Sequence, residues 1–99
     1  MIYRIKILAK AKVFIESLDE RLRAKVAAAI KTLSDGDFLS VEVKSLRGQI
    51  RELRIASFRI IFFAKNGTLW FVSGFRKKTQ KTPLHEIEQA LKIFKISDD

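Results

Sequence analysis

Arginine and lysine side chains dominate the middle of this sequence, and they are the residue types that bind phosphate groups. Residues 44–81 contain ten of them and one acidic residue, a net charge of +9, whereas residues 1–43 carry +2 and residues 82–99 carry −2. Such a segment indicates a polyanionic partner, with nucleic acid the commonest, although a solvated basic face is the alternative. The ten residues are Lys44, Arg47, Arg51, Arg54, Arg59, Lys65, Arg76, Lys77, Lys78 and Lys81.

A β-meander is predicted over Ile50 to Arg76, because Asn66-Gly67 lies between two apolar runs. This dipeptide favours a type I′ hairpin, which needs positive φ at both central residues. The side-chain period of 2 then fixes which residues share a face. The predicted register pairs Lys65 with Thr68, Phe63 with Trp70, Ile61 with Val72 and Arg59 with Gly74, and it assigns Phe58, Ile60, Phe62, Leu69, Phe71 and Phe75 to the opposite, core face.

Three arginines would converge on the face that carries Arg59. A second two-residue turn at Ala56-Ser57 would set Arg54 opposite Arg59, and Arg76 would point the same way beside Gly74, which leaves room for a close approach to the backbone. Like charges that face each other destabilise a sheet, so this placement predicts an anion between the arginines. The alternative is that their alkyl stems cover apolar side chains while the charges extend into solvent.

The remaining elements follow from periodicity. Alternating apolar residues predict a strand from about Ile2 to Leu8, and a four-residue apolar repeat predicts helix from about residue 9 to Gly36. Asp19 is a second helix-start signal, which favours a helical hairpin over one long helix. Residues 41–49 are interpreted as a loop leading into a strand. Pro83 precedes a final amphipathic helix with Glu86 and Glu88 near its positive end, so the expectation is one α+β domain over residues 1–99.

Several classes of protein are excluded by composition. The sequence has no cysteine and one histidine, which excludes disulfides, thiolate metal sites and multi-histidine metal sites, and we expect no cofactor. The longest apolar run, residues 60–64, is too short to cross a bilayer, and the N-terminus lacks the apolar core of a signal peptide. We therefore expect a cytoplasmic protein with no membrane partner.

Three segments resemble a known family. Residues 44–54 (KSLRGQIRELR), 58–62 (FRIIF) and 74–83 (GFRKKTQKTP), followed by an amphipathic helix, are similar to the HigB-type, phage-related branch of the RelE/ParE toxin superfamily. The resemblance implies a RelE-like fold: a strand, a helical hairpin, an antiparallel meander and a C-terminal helix. It also implies the toxin of a type II toxin–antitoxin pair, and many such toxins cleave messenger RNA in the ribosomal A site. The implied partners are a cognate helix-turn-helix antitoxin, the ribosome with its mRNA, and operator DNA bound by the toxin–antitoxin complex.

Four basic residues match positions of the family pattern. Arg59 matches the arginine of the aromatic-Arg-hydrophobic strand motif, and Arg76 matches the basic residue at the end of the last strand. Lys44 and Arg54 match earlier basic positions. One feature departs from the pattern, because many RelE-like relatives use a tyrosine near the C-terminus and the only tyrosine here is Tyr3.

Cleavage of RNA by its own 2′-hydroxyl needs a base, charge stabilisation at the phosphate, and an acid for the 5′-oxygen. Arginine serves only the second task, because it stays protonated. Lysines next to other cations are candidates for proton transfer, Lys77, Lys78 and Lys44 first among them. The predicted catalytic residues are Arg59, Arg76, Arg54, Lys77 and Lys78; the predicted RNA-binding residues are Lys44, Arg47, Arg51, Lys81 and Trp70; His85 and Glu52 are further candidates for proton transfer.

Three of these residues have a second interpretation. Trp70 either stacks on a base or covers the sheet against a helix, Glu52 is equally a salt-bridge partner, and His85 is equally a surface or capping residue. Two other functions also compete with an mRNA endonuclease. One is a ParE-like gyrase inhibitor, which has the same fold without nuclease activity, and the other is a non-catalytic RNA-binding domain.

Overall fold

A mixed five-stranded sheet forms the middle layer of the protein, which a computed structural model describes over residues 3–78 and 81–97. The strands lie in the order β1-β5-β4-β3-β2, with β1 parallel to β5 and the other neighbours antiparallel. The predicted α+β architecture is confirmed. The elements are β1 (Arg4–Ile7), α1 (Ala9–Glu16), α2 (Glu20–Ser34), β2 (Val43–Arg47), β3 (Ile50–Ile55), β4 (Phe58–Lys65), β5 (Thr68–Arg76) and α3 (Leu84–Ile96).

The predicted helical hairpin is confirmed. Helix α2 begins after Asp19, whose carboxylate accepts a hydrogen bond of 2.9 Å from the Leu22 backbone N–H. An aspartate cap satisfies one of the otherwise unpaired amides of a first turn, which explains why the chain breaks into two helices here. The hairpin covers one sheet face, and its core consists of Ala11, Leu18, Val26, Ala29, Ile30 and Leu33 on the helices with Leu53, Phe58, Ile60, Phe62, Leu69 and Phe71 on the strands.

The C-terminal helix α3 covers the opposite face, and it begins one residue after Pro83 as the sequence predicts. Phe94 packs edge-on against Phe63 at 5.1 Å between ring centroids. The Lys65 ammonium donates to the Phe94 and Ser97 carbonyls at 2.5 and 2.6 Å, which caps the negative end of the helix. Across residues 3–78 and 81–97, none of the helices has the length and apolar character needed to cross a membrane.

Both predicted two-residue turns are confirmed. Asn66 and Gly67 have φ of 52° and 78°, as a type I′ turn requires, and Lys65 pairs with Thr68. Ala56 also has a positive φ, 49°, and the turn it shares with Ser57 joins β3 to β4. As predicted, this turn sets Arg54 directly opposite Arg59.

A β-bulge makes the predicted β4–β5 register wrong beyond Phe62. Phe62 pairs with Phe71, but Ile61 pairs with Ser73, so Val72 is an extra residue on β5. An inserted residue reverses the facing of every later side chain in its strand. The bulge therefore changes the partners and faces of all residues at the end of β5.

The three residues that follow the bulge show this effect. Phe75, predicted to share the core face of Phe58 and Phe71, lies opposite Arg59 and packs with the cluster under α3. Gly74 faces α1, where a Cβ added to it would lie 2.8 Å from Phe14 Cγ. The prediction that Gly74 leaves space beside the arginines is wrong, and Arg76 pairs with Phe58 rather than sharing the facing of Arg59.

Two boundaries also differ from the prediction. Residues 43–47 form the edge strand β2, whereas the sequence predicts a loop there. The strand is hard to predict because most of its side chains are exposed and its pairing with β3 shifts between Ser45 and Arg47. Such a strand lacks the clean alternation that identifies strands in a sequence. Strand β1 is shorter than predicted, and Ile2 lies outside the described residues.

Candidate active site

A cavity of about 380 Å³ lies between the sheet and the N-terminus of α3. Residues 77–78 and 81–83, which lie between β5 and α3 in the sequence, form one of its walls. Five of its lining residues are arginine or lysine, and their side chains give the cavity the character of an anion site. The described lining residues are Glu52, Arg59, Phe75, Arg76, Lys77, Lys78, Lys81, Thr82, Pro83, His85 and Glu86.

The anion that lies between Arg54 and Arg59 is the side chain of Glu52, whereas the sequence predicts a bound anion there. The residue exposure of Glu52 is 1%, and its Oε2 accepts a 3.0 Å hydrogen bond from Arg54 Nε and lies 4.0 Å from Arg59 Nε. Its Oε1 accepts a 2.5 Å hydrogen bond from the Thr82 hydroxyl. The hydrogen bond with Glu52 raises the pKa of Arg54 above its usual value. Glu52 is therefore a salt-bridge partner, with both carboxylate oxygens engaged.

Arg59 is fixed within the wall of the cavity. It is buried, and its Nη1 donates to the carbonyl oxygens of Phe58 at 2.9 Å and Ala56 at 3.4 Å. These bonds and the Glu52 carboxylate hold the guanidinium in one orientation. The interpretation in which this arginine extends into solvent is wrong.

Four exposed cations line the outer rim of the cavity. They are Arg76 at the end of β5, and Lys77, Lys78 and Lys81 between β5 and α3. The Lys77 backbone N–H donates to the Ser57 carbonyl at 2.8 Å, which holds the chain against the β3–β4 turn just after β5 ends. Arg76 reaches the cavity despite its pairing with Phe58 because it is the last residue of its strand. These side chains are accessible to a phosphate group, unlike Arg59.

His85 lies in the first turn of α3 and lines the cavity with an exposed side chain. Its Nε2 is 3.5 Å from Glu86 Oε2, and Glu86 is itself buried and accepts a 2.8 Å hydrogen bond from the Ser73 hydroxyl. The Glu86 and Ser73 pair was not predicted as part of the site, because the bulge at Val72 is what turns Ser73 toward α3. The imidazole therefore lies beside a carboxylate that is itself held in place by Ser73.

Three predicted site residues do not line the cavity. Arg54 forms salt bridges with Glu52 and with Glu42, whose Oε2 lies 3.4 Å from Arg54 Nη1. Arg51 stacks over the Phe38 ring at 5.1 Å on the hairpin side of the sheet, because it pairs with Phe62. Trp70 is 7% exposed and stacks on Phe63 under α3, so it covers the sheet and presents no open ring face for a base.

Two further predicted RNA-binding residues lie beyond the cavity. Lys44 is exposed on β2 opposite Glu52, and Arg47 lines a separate shallow groove along α3 together with His85 and Lys92. Thr79 and Gln80, which belong to the segment that resembles the toxin family, lie outside the described residues. In the described part of the chain, no three His, Asp or Glu side chains gather as metal ligands would.

Comparison with known proteins identifies the family. The model of the phage-derived Gp49-like proteins matches residues 13–95. The chain belongs to this family. The probable endoribonuclease HigB1 of Mycobacterium tuberculosis is 33% identical to this Gp49-like chain over 85 residues, which are 82% of this chain and 68% of the relative. The predicted HigB-type identity is confirmed.

Solved structures share the fold of this Gp49-like chain. The RelBE2 toxin–antitoxin complex of Mycobacterium tuberculosis contains a chain with a TM-score of 0.63 and 20% identity, over 78% of this chain and 100% of that chain. The isolated RelE toxin of E. coli has a TM-score of 0.60 and 11% identity, over 88% of this chain and 97% of that chain. The predicted RelE-like fold is therefore confirmed.

Proposed function

We propose that this chain is the toxin of a type II toxin–antitoxin pair and that it cleaves messenger RNA in the cavity beside α3. The observation that carries the proposal is the cavity itself, where the exposed cations Arg76, Lys77, Lys78 and Lys81 surround the histidine of α3. A phosphodiester needs cations at its oxygens and a group that transfers protons near neutral pH. The 33% identity to a probable endoribonuclease supports the same reaction.

In the proposed reaction the 2′-oxygen of the RNA bonds to the adjacent phosphorus and the bond from phosphorus to the 5′-oxygen breaks. The products are a 2′,3′-cyclic phosphate and a 5′-hydroxyl. Arg76 binds the phosphate oxygens through its planar fork and stabilises the charge that develops on them. Arg59, which is fixed by Glu52 and two carbonyls, adds positive charge from the wall of the cavity.

Proton transfer falls to His85 and to a rim lysine. His85 donates the proton that the leaving 5′-oxygen needs, and the Glu86 carboxylate 3.5 Å away orients the imidazole for that transfer. Lys77 or Lys78 accepts the proton of the 2′-hydroxyl, because both lysines line the cavity in which the phosphate would bind. Glu52 is not the base, since both of its oxygens are engaged.

The proposed partners are an antitoxin and the ribosome. A RelE-like chain bound by an antitoxin is the subject of the RelBE2 structure, which supports an antitoxin for this chain as well. We propose a helix-turn-helix antitoxin that binds operator DNA as part of the complex. The ribosome would hold the mRNA in the cavity, and positioning of this kind contributes roughly 7–11 kcal/mol to a barrier. Activity on ribosomes in turn implies a cytoplasmic location.

Mapping of RNA 5′ ends after induction in a bacterial host tests this function. We expect growth arrest and discrete new ends inside translated frames, and we expect both to disappear in Arg76→Ala. Arg76 is exposed, so this variant leaves the fold intact, whereas Arg59→Ala would leave the buried Glu52 without one of its cations. Intact transcripts with DNA damage would favour a gyrase inhibitor instead, and a harmless protein would favour a non-catalytic RNA-binding domain.

A further inference from the structure

Among the described residues, Phe75 is the only Phe, Tyr or Trp side chain that lines the cavity. It lies directly opposite Arg59 in the β4–β5 pairing and therefore shares the sheet face of that arginine. Part of its ring packs against the cluster under α3, and the residue remains only half-buried. Its free ring surface is thus presented to the cavity from a rigid strand.

The bulge at Val72 is the cause of this placement. Without the extra residue, Phe75 would point toward the helical hairpin and join the core there, as the simple alternation of β5 predicts. Bulges are known to redirect side chains next to binding sites. The strand therefore presents an aromatic ring to a cation-lined cavity at a position where alternation alone would bury it.

An aromatic wall adds nothing to the binding of a bare phosphate, but it suits a nucleotide. Phosphate groups bind cations, whereas an unstacked base binds the face of an aromatic ring. Phe75 and Pro83 supply apolar surface to the same cavity that Arg76 and Lys81 line, and its volume of about 380 Å³ lies within the range of small-ligand sites. Trp70, the residue with the largest ring, is unavailable because it is buried.

We propose that Phe75 forms a subsite for an unstacked nucleobase of the RNA, which stacks on its ring while the adjoining phosphate binds the basic rim. This proposal deepens the proposed function and rests on RNA being the substrate. It assigns Phe75 to substrate positioning, since the ring has no group that can take part in proton transfer.

A fluorescent RNA tests the subsite apart from cleavage. The probe is a short RNA oligonucleotide with 2-aminopurine at one position and 2′-O-methyl groups throughout, which prevent attack by the 2′-oxygen. Stacking of 2-aminopurine on an aromatic ring quenches its fluorescence. The proteins are the wild type, Phe75→Leu, Phe75→Tyr and the control Phe94→Leu, which removes a partly buried ring from the same sheet face but outside the cavity. Circular dichroism establishes that each variant is folded.

We expect the wild type and Phe94→Leu to quench the probe with similar affinity. Phe75→Leu should bind about tenfold more weakly and without quenching, because the stacking of the base on the ring is lost. Phe75→Tyr should restore both properties, and the salt dependence of binding should stay the same in all variants, since the phosphate contacts remain.

Quenching that is unchanged in Phe75→Leu, or absent in the wild type, would overturn the subsite. Failure of the proposed function has a different outcome: the wild type would quench the probe through Phe75 but would produce no new RNA ends in cells. Loss of quenching in Phe94→Leu to the same extent as in Phe75→Leu would also overturn the proposal, because it would indicate a general effect of ring removal.

Discussion

Replacement of Gly74 by alanine tests the bulge that gives the candidate site its shape. Gly74 has no left-handed φ, so its backbone accepts an alanine without strain. The added methyl group, however, would lie 2.8 Å from Cγ and 3.1 Å from Cε2 of the Phe14 ring. Phe14 belongs to α1 and packs edge-on against Phe58 at 5.5 Å between ring centroids, so a shift of the ring that relieves the overlap disturbs this contact.

Two opposing effects determine how much Gly74→Ala changes the free energy of unfolding. Overpacking of a filled site costs typically about 1–3 kcal/mol, and replacement of glycine by alanine in a compatible backbone contributes about 0.4–1 kcal/mol of stability through the unfolded chain. The net expectation for Gly74→Ala is a loss of about 1–2 kcal/mol. When Phe14→Ala has already removed the ring, the same substitution should instead stabilise the protein by about 0.4–1 kcal/mol.

Urea unfolding of the four proteins in this double-mutant cycle measures both values. Gly48→Ala is the matched control, because Gly48 has a φ of +55° with no atom within 4 Å of an added Cβ. The loss of stability in Gly48→Ala comes from the unfavourable positive φ of the new alanine, and Phe14→Ala should leave that loss unchanged. A Gly74→Ala variant as stable as the wild type, or equally destabilised in both backgrounds, would refute the facing of Gly74 and the bulge that produces it.

Three more predictions concern the core, the rim and the partner. Phe71→Ala should lower the free energy of unfolding by about 3–5 kcal/mol, because Phe71 is fully buried and stacks on Phe62 at 5.4 Å; a wild-type urea midpoint would contradict this. Arg76→Lys should restore only part of the growth arrest that Arg76→Ala removes, since a point charge lacks the bidentate fork, and full arrest in a viability assay would contradict that role. The antitoxin should bind the cavity beside α3 or the N-terminal helices through acidic residues, so stopped-flow association should slow markedly from low to physiological salt; a salt-independent rate would contradict this prediction.

Most of the fold could be predicted because its signals are local. Asp19 marks the start of α2, and the Asn66-Gly67 turn fixes the first pairs of β4 and β5. The edge strand β2 could not be predicted, since it contributes little to the core and has no strict alternation. The bulge at Val72 could not be predicted either, because residues 69–72 are all apolar and show no alternation that an extra residue would interrupt; packing under α3 places Val72 and Ser73 on one face.

The candidate site was predicted in composition and only partly in geometry. Arg59, Arg76 and His85 do line one cavity, because strand ends and a helix start converge there. Burial was the property that sequence reasoning missed. Glu52 is buried and paired with arginine, and Trp70 is buried against Phe63, so neither side chain is freely presented to the cavity as the sequence predicts. The sequence shows which residues are cationic, but it does not show which of them form salt bridges within the folded protein.

Cleavage of a defined mRNA on purified ribosomes tests most directly whether the cavity beside α3 is the site of reaction. The proteins are the wild type and the double variant Arg76→Ala, His85→Ala, both of whose replaced side chains are exposed and dispensable for folding. We predict that the wild type cuts the translated mRNA and leaves a 2′,3′-cyclic phosphate, and that the folded double variant is slower by at least about 100-fold, as expected for loss of proton transfer alone. A folded double variant that cuts the mRNA at the wild-type rate would contradict the central claim.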